Sequence, residues 1–150
     1  MLSGILCTKK TRIKGDGFVE LELRWWEKPA YRLPEAAWLS FVPLAPDPSG
    51  WRLDKMGAEV DPRRVVAGGN RRMHGITRGI RYRDGEGSLA IDSLDAPLVS
   101  AGKRSLLDFD DVLPDLAGGM HFCLHDNVWG TNFRMWFEDD MRFRFRLRAT

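Results

Sequence analysis

The stretch FVELELRWW, residues 18–26, decides the fold, because its side chains alternate strictly between apolar and charged. Its apolar positions are Val19, Leu21, Leu23 and Trp25, and its charged positions are Glu20, Glu22 and Arg24. Successive residues of a β-strand point to opposite sides of a sheet. This pattern therefore predicts a strand with one face in a core and the other in water.

A second alternating stretch, MRFRFRLR at residues 141–148, ends the chain. Its apolar residues predict a core face, and its other face carries Arg142, Arg144, Arg146 and Arg148. Such a stripe could bind phosphates, but the acidic face of residues 18–26 offers a simpler partner, because opposite charges stabilise paired strands. We interpret the stripe as a charged outer face or a contact with another domain, and we expect no nucleic-acid partner.

The rest of the chain is also rich in strand patterns. Further strands are predicted at residues 5–13, 35–42, 75–82, 88–94, 95–100, 105–109, 120–124 and 133–137, with a hairpin at 51–60 around Lys55-Met56-Gly57. Residues 27–29 are predicted to stop the strand before them, because proline cannot donate to the ladder, and turns are predicted at residues 84–87 and 139–140. Turn signals at intervals of about 8–12 residues favour a single all-β domain over residues 1–150, an antiparallel β-sandwich.

Composition narrows the class of protein. The 150 residues are 43% hydrophobic and 29% charged, with a net charge of +2, which excludes a disordered chain and gives little reason to expect nucleic acid. No apolar run is long enough for a membrane span, and the first residues lack the basic region of a signal peptide, so we expect a cytoplasmic protein without a membrane partner. Cys7 and Cys123 are expected to be reduced and buried.

A metal site is the first functional hypothesis that the residues raise. His121, Cys123 and His125 share one face of a strand, with Asp126 nearby, and zinc accepts such ligands. The spacing matches no specific zinc signature, so we interpret these residues as the polar face of a core strand and expect no metal and no cofactor.

Catalytic motifs give no stronger signal. The carboxylates stand mostly at turns, where aspartate is favoured for local hydrogen bonding, and neighbours along a strand point to opposite faces. The sequence contains no nucleophile elbow and no phosphate-binding glycine motif. We therefore nominate no catalytic residue.

Six tryptophans are the remaining clue. Trp25 and Trp38 lie in apolar strands and are predicted to build the core, whereas Trp26, Trp51, Trp129 and Trp136 are predicted to be freer. The loop NVWGTN, residues 127–132, combines a ring with amides and a hydroxyl, as sugar-binding loops do. It is equally typical of a turn in which Trp129 closes the end of a sandwich.

Four blocks in order along the chain resemble a known family. They are RWWEKPAYRLPEAAWLSF at 24–41, GNRRMH at 69–74, DSLDAPLV at 92–99, and NVWGTNF at 127–133 followed by MWF at 135–137. They are similar to the C-terminal β region of a glycoside-hydrolase-like family whose layout is similar to that of family 38 α-mannosidases. The resemblance spans nearly the whole chain.

The resemblance implies a β-sandwich of the galactose-mutarotase-like kind, the C-terminal piece of a larger hydrolase. In that family the catalytic aspartate and its metal site lie in an N-terminal α/β barrel, so this chain would support the barrel and would be inactive alone. The residues expected to contact the barrel or carbohydrate are Asn70, His74, Asn127, Trp129, Thr131 and Asn132. An interface exposed without the barrel predicts self-association of the isolated chain.

Two other hypotheses remain open at this point. A free-standing carbohydrate-binding module would use Trp129, Trp136 or Trp51. A small metalloenzyme would use His121, Cys123 and His125.

Overall fold

The protein is an antiparallel β-sandwich in a computed structural model that describes residues 6–13, 17–106, 111–128 and 135–150. The described strands are β1 (Leu6–Ile13), β2 (Phe18–Lys28), β3 (Ala36–Phe41), β4 (Trp51–Lys55), β5 (Ala58–Val60), β6 (Met73–Gly75), β7 (Gly79–Arg83), β8 (Ser88–Ser93), β9 (Leu98–Ala101), β10 (Met120–Asp126) and β11 (Asp139–Ala149). Short 3₁₀ helices occupy Pro48–Gly50 and Leu116–Gly118. One sheet has the order β1-β2-β11-β8-β7-β4-β5, and the other has the order β3-β10-β9-β6.

Aromatic rings from both sheets meet in the core. Phe145 of β11 is 1% exposed, and its ring centroid lies 5.1 Å from that of Phe122 on β10 and 5.8 Å from that of Phe41 on β3. Trp25 of β2 packs edge-on against Phe143 of β11. The apolar faces of the two alternating stretches thus pack against the second sheet, which confirms the predicted all-β sandwich.

The β4–β5 hairpin is also confirmed. Its turn residues, Met56 and Gly57, have φ values of 52° and 85°. Two successive positive φ values are typical of the tight turns whose twist matches that of the flanking strands. Glycine adopts this conformation without strain, which explains the Lys55-Met56-Gly57 signal.

The strand predicted at residues 75–82 is wrong, because the chain changes sheets within it. Met73–Gly75 pairs with β9 in the four-stranded sheet, whereas Gly79–Arg83 pairs with β8 and β4 in the seven-stranded sheet. The crossing is held by the backbone of Ile76, which donates to Pro97 O at 2.8 Å. Gly79 then passes so close to Ile91 O that a Cβ atom would lie 2.0 Å from it, so only glycine fits there.

The predicted stop at residues 27–29 is confirmed, because β2 ends at Lys28, directly before Pro29. The turn predicted at residues 139–140 is wrong, because β11 already begins at Asp139. The register between these strands shifts between Asp139 and Met141, so Trp26 and Glu27 of β2 stand opposite Asp140 alone and form a β-bulge in β2. Asp140 accepts the backbone N–H of Glu27, whose φ is 50°, at 2.8 Å.

Two predicted strands, at residues 105–109 and 133–137, do not form as expected in the parts that the structure describes. Met135–Phe137 lies outside any strand, because the last core strand begins only at Asp139, and residues 133–134 lie outside the described part of the chain. Ser105 and Leu106 are also not in a strand, and residues 107–109 lie outside the described part. Cys123 is a free, buried thiol, as predicted, whereas the Cys7 side chain is not among the described ones.

Candidate functional site

Asn127 joins two of the blocks that carry the family resemblance. Its side chain accepts the backbone N–H of Glu35 at 2.6 Å and donates to the carbonyls of Tyr31 and Leu33 at 3.1 and 2.9 Å. Its own backbone N–H donates to Glu35 O at 3.1 Å. Asn127 is 6% exposed, so its amide holds the 31–35 loop against the end of β10 and has little surface left for a sugar.

A buried ionic cluster lies directly beside Asn127. Lys28 is 2% exposed, and its Nζ donates to Glu35 Oε1 at 2.5 Å and to the carbonyls of Pro29 and Phe137 at 3.2 and 3.3 Å. His125 Nε2 lies 3.0 Å from the same Glu35 oxygen. Because a carboxylate oxygen only accepts, Nε2 carries the hydrogen. We call Lys28, Glu35, His125 and Asn127 the Glu35 cluster.

Aromatic rings enclose the Glu35 cluster. The Lys28 Nζ lies 5.4 Å from the Tyr31 ring centroid, and the His125 ring packs edge-on against Trp25 at 6.4 Å. Three acceptors surround the Lys28 Nζ, so this nitrogen is held by hydrogen bonds and is not directed at open space. The cluster is built to hold the end of the sandwich together.

The β-bulge in β10 separates the residues of the predicted metal site. The register of β10 against β3 shifts between Cys123 and His125, and His125 consequently contacts Trp25 in the core. His121 instead contacts Ser40 on β3, with Nδ1 and Oγ 2.8 Å apart. Among the described residues, no three His, Cys, Asp or Glu side chains come together as a metal site.

Cys123 is also a poor metal ligand on chemical grounds. Burial, followed by the nearby charge of Asp126, raises the pKa of its thiol to about 11. The thiolate is the form that binds metals, and at neutral pH this thiol keeps its proton. The metalloenzyme hypothesis therefore has no support in the geometry of His121, Cys123 and His125.

His74 is a buried, neutral histidine. It is 3% exposed; its Nε2 donates to Arg71 O at 3.1 Å, and its Nδ1 lies 3.3 Å from Lys55 Nζ. Burial and then the charge of Lys55 lower the pKa of His74 to about 4, against the smaller opposing effect of the Arg71 carbonyl. Asn70 accepts the backbone N–H of Arg72 at 2.8 Å, so both predicted contact residues serve local structure.

The two groups of predicted site residues lie at opposite ends of the four-stranded sheet. Met73 on β6, Ser100 on β9 and His121 on β10 stand in one row, and β6 runs parallel to β10. Asn70 precedes this row, whereas Asn127 follows it by six residues, or about 20 Å at the rise of a strand. Asn70, His74 and Asn127 therefore do not line one small-molecule site.

The aromatic residues proposed for sugar contact divide into three groups. Trp51 is 1% exposed and packs against Tyr82, which makes it a core residue and corrects the prediction that it is freer. Trp136 is partly exposed, and the Arg32 guanidinium lies 4.7 Å from its ring centroid. Trp129, Thr131 and Asn132 lie outside the described residues.

Sequence reasoning missed the Glu35 cluster. Lys28 follows an aromatic pair and precedes a proline, which is typical of an exposed strand end, and no local pattern shows that its ammonium is buried. The only available signal was the resemblance itself, because its first and last blocks contain Lys28, Glu35 and Asn127.

The described residues thus form a structural cluster and show no assembled catalytic set. Among them, no helix is long and apolar enough to cross a membrane. No protein-family model, curated protein or solved structure matches the chain.

Proposed function

We propose that this chain is a non-catalytic β-sandwich domain, of the galactose-mutarotase-like kind, that supports the α/β-barrel catalytic domain of a glycoside-hydrolase-like enzyme. The observation that carries the proposal is a set of exposed apolar side chains in the loops after β3 and before β10, which leave these strands at the end opposite the Glu35 cluster. Val42, Leu44, Val112 and Leu113 are 58%, 103%, 58% and 60% exposed. We call these four residues the apolar end.

Close backbone contacts hold the loops of the apolar end together. Gly102 N donates to Gly119 O at 2.8 Å. A Cβ atom on Gly119 would lie only 3.0 Å from Val42 Cα, so the loop after β3 packs directly on the loop before β10. Large apolar side chains on such a fixed surface are typical of a protein interface.

The buried contacts of the predicted site residues support the same proposal. Asn70, His74 and Asn127 make hydrogen bonds that shape loops, as expected of a supporting domain. His74 and Asn70 belong to the half of the sandwich nearer the apolar end, and Asn127 belongs to the other end. We therefore propose barrel contact through the apolar end, with Asn127 acting by holding the fold.

Sedimentation velocity tests whether the apolar end is an interface. We expect the isolated chain to self-associate and the double variant Leu44→Asp/Leu113→Asp to become monomeric. The matched control is Ile13→Asp/Met56→Asp, which places the same charges on side chains that are 84% and 95% exposed outside the apolar end. A wild-type chain that stays monomeric at high concentration would contradict the proposal.

Two further experiments distinguish a supporting domain from a free-standing carbohydrate-binding module. Titration of the isolated chain with mannose-type glycans should leave the tryptophan fluorescence unchanged; saturable binding at millimolar or lower concentration would favour the module. The coding sequence directly upstream of residue 1 should encode an α/β barrel in frame, and its absence would count against a supporting role.

A further inference from the structure

The outer face of the seven-stranded sheet carries a continuous column of arginines. Arg142, Arg144, Arg146 and Arg148 follow one another at every second position of β11, so their Cα atoms are about 6.7 Å apart. β11 lies in the middle of the sheet, between β2 and β8. We call this column and its neighbours on β1, β2 and β8 the arginine face.

Acidic side chains flank the column on both sides. Glu20 on β2 stands opposite both Arg146 and Arg12, and Glu22 stands opposite both Arg144 and Lys10. On the other side, Arg144 donates two hydrogen bonds to Asp95, at 2.8 and 2.9 Å. Each of these carboxylates is therefore already matched by basic groups, and positive charge is left over.

The excess charge is concentrated at the ends of the column. Arg142 stands directly opposite Arg24, and Arg148 stands opposite Phe18. Like charges directly across paired strands are destabilising. Among the described residues, neither Arg142 nor Arg148 forms a hydrogen-bonded ion pair, because Glu22 bonds to Arg24 and Asp95 bonds to Arg144. The charge of Arg142 still helps to lower the pKa of both Glu22 and Asp95. The guanidinium N–H groups of Arg142 and Arg148 can therefore bind an external carboxylate.

The aromatic rings of the arginine face are covered by guanidinium groups. Arg24 lies 5.6 Å from the Trp26 centroid, and Arg146 and Arg148 each lie 5.9 Å from that of Phe18. Single-stranded nucleic acids need free rings on which bases stack, so the face is poorly suited to them. For a carboxylate ligand the same contacts are favourable, because they hold the guanidinium forks in place before binding.

A cleft gives the middle of the face a concave surface. Its volume is about 390 Å³, and its lining includes Arg144 and Arg146 but not Arg142 and Arg148, which precede and follow them along β11. An extended peptide places its alternate side chains about 6.7 Å apart, which matches the spacing of the column. The acids of β2 and Asp95, which follows β8, would confine such a peptide to the line of β11.

We propose that the arginine face binds an extended, acidic segment of a protein partner, with carboxylates at alternate positions along β11. The proposal stands independently of the apolar end, because it concerns a different surface and a different kind of contact.

Fluorescence anisotropy with a labelled (Glu-Ser)₈ peptide tests the proposal on the full chain. We expect salt-dependent binding that is tighter than that of (Glu-Glu-Ser-Ser)₄, which has the same composition, and of oligothymidylate with eight phosphates. The variant Arg142→Glu/Arg148→Glu should weaken peptide binding about tenfold or more. The control Arg64→Glu/Arg104→Glu, which changes the net charge equally at exposed positions outside the face, should change it less than about twofold.

Circular dichroism should show that both double variants remain folded, so that a loss of peptide binding reports the arginine face. Equal loss of binding in the two double variants, tighter binding of the oligothymidylate, or no peptide binding at low salt would overturn the proposal.

Discussion

The Glu35 cluster and the arginine face both contain ion pairs, but the basic members of these pairs differ in burial. The side chains of Lys28 and its partner Glu35 are 2% and 26% exposed, whereas those of Arg146 and its partner Glu20 are 52% and 27% exposed. Removing one member of a buried pair leaves an uncompensated charge in a poor solvent, while water takes over the remaining member of an exposed pair. The ion pair of the Glu35 cluster is therefore expected to stabilise the fold. The ion pairs of the arginine face can be replaced at little cost by ion pairs with a partner.

The largest expected effect is at Glu35. Glu35→Gln leaves the Lys28 ammonium without a counter-charge, so we expect the free energy of unfolding to fall by about 3–5 kcal/mol in urea titrations. The double variant Lys28→Met/Glu35→Gln should recover much of this loss, because it removes the buried charge as well. Equal stability of the single and double variants would show that the pair is not coupled.

His74 shows how burial affects stability in the absence of an ion pair, because its buried ring lies beside Lys55 and not beside a carboxylate. Its folded pKa of about 4 lies below the ordinary value of 6.5, so the unfolded chain binds the proton more readily. Stability from His74 is complete above pH 6.5 and is lost as the pH falls towards 4, by up to about 3 kcal/mol. In chemical denaturation at pH 7 and pH 4.5, His74→Gln should reduce this dependence, and an unchanged slope would contradict the assignment.

Asn127 provides a neutral comparison with the ionic members of its cluster. Asn127→Ala removes the acceptor for Glu35 N and the donors to Tyr31 O and Leu33 O. We expect a loss of about 1–3 kcal/mol, together with faster hydrogen exchange at the Glu35 amide. Asn127→Asp keeps the acceptor, so it should protect that amide better than Asn127→Ala does.

The smallest effect is expected on the arginine face. A double-mutant cycle with Glu20→Ala and Arg146→Ala should give a coupling of about 0.2–1 kcal/mol, which falls further in 1 M NaCl. The corresponding cycle for Lys28 and Glu35 should be much less sensitive to salt. Similar couplings and salt dependences in the two cycles would remove the distinction between these regions.

The strands could be predicted wherever one face is apolar and the other charged. Residues 18–26 and 141–148 alternate because one side packs on Phe122 and the other meets water, and even the pairing of Glu20 and Glu22 with the final arginines follows from charge. The change of sheet at Ile76 and the bulges at Glu27 and Leu124 could not be predicted, because they depend on distant strands.

The candidate site was less accessible to sequence reasoning. A lysine before a proline and a glutamate after one have the composition of a surface loop, and only the approach of β10 turns them into a buried pair. Asn127 was interpreted as part of a sugar-binding loop because a side-chain amide can donate equally well to a sugar oxygen or to a backbone carbonyl. In the structure it donates to the backbone carbonyls of Tyr31 and Leu33.

The central position of β11 in the larger sheet affects when this sheet can form during protein synthesis. This last strand separates β1 and β2 from β8, β7, β4 and β5, and it joins Glu20 to Arg146 across 126 positions of the chain. Until it emerges, the larger sheet exists only as two halves with open edges, which are prone to pair with other chains. The larger sheet can therefore be completed only after β11 has been synthesised, and its folding is slow, since its contacts are distant in sequence.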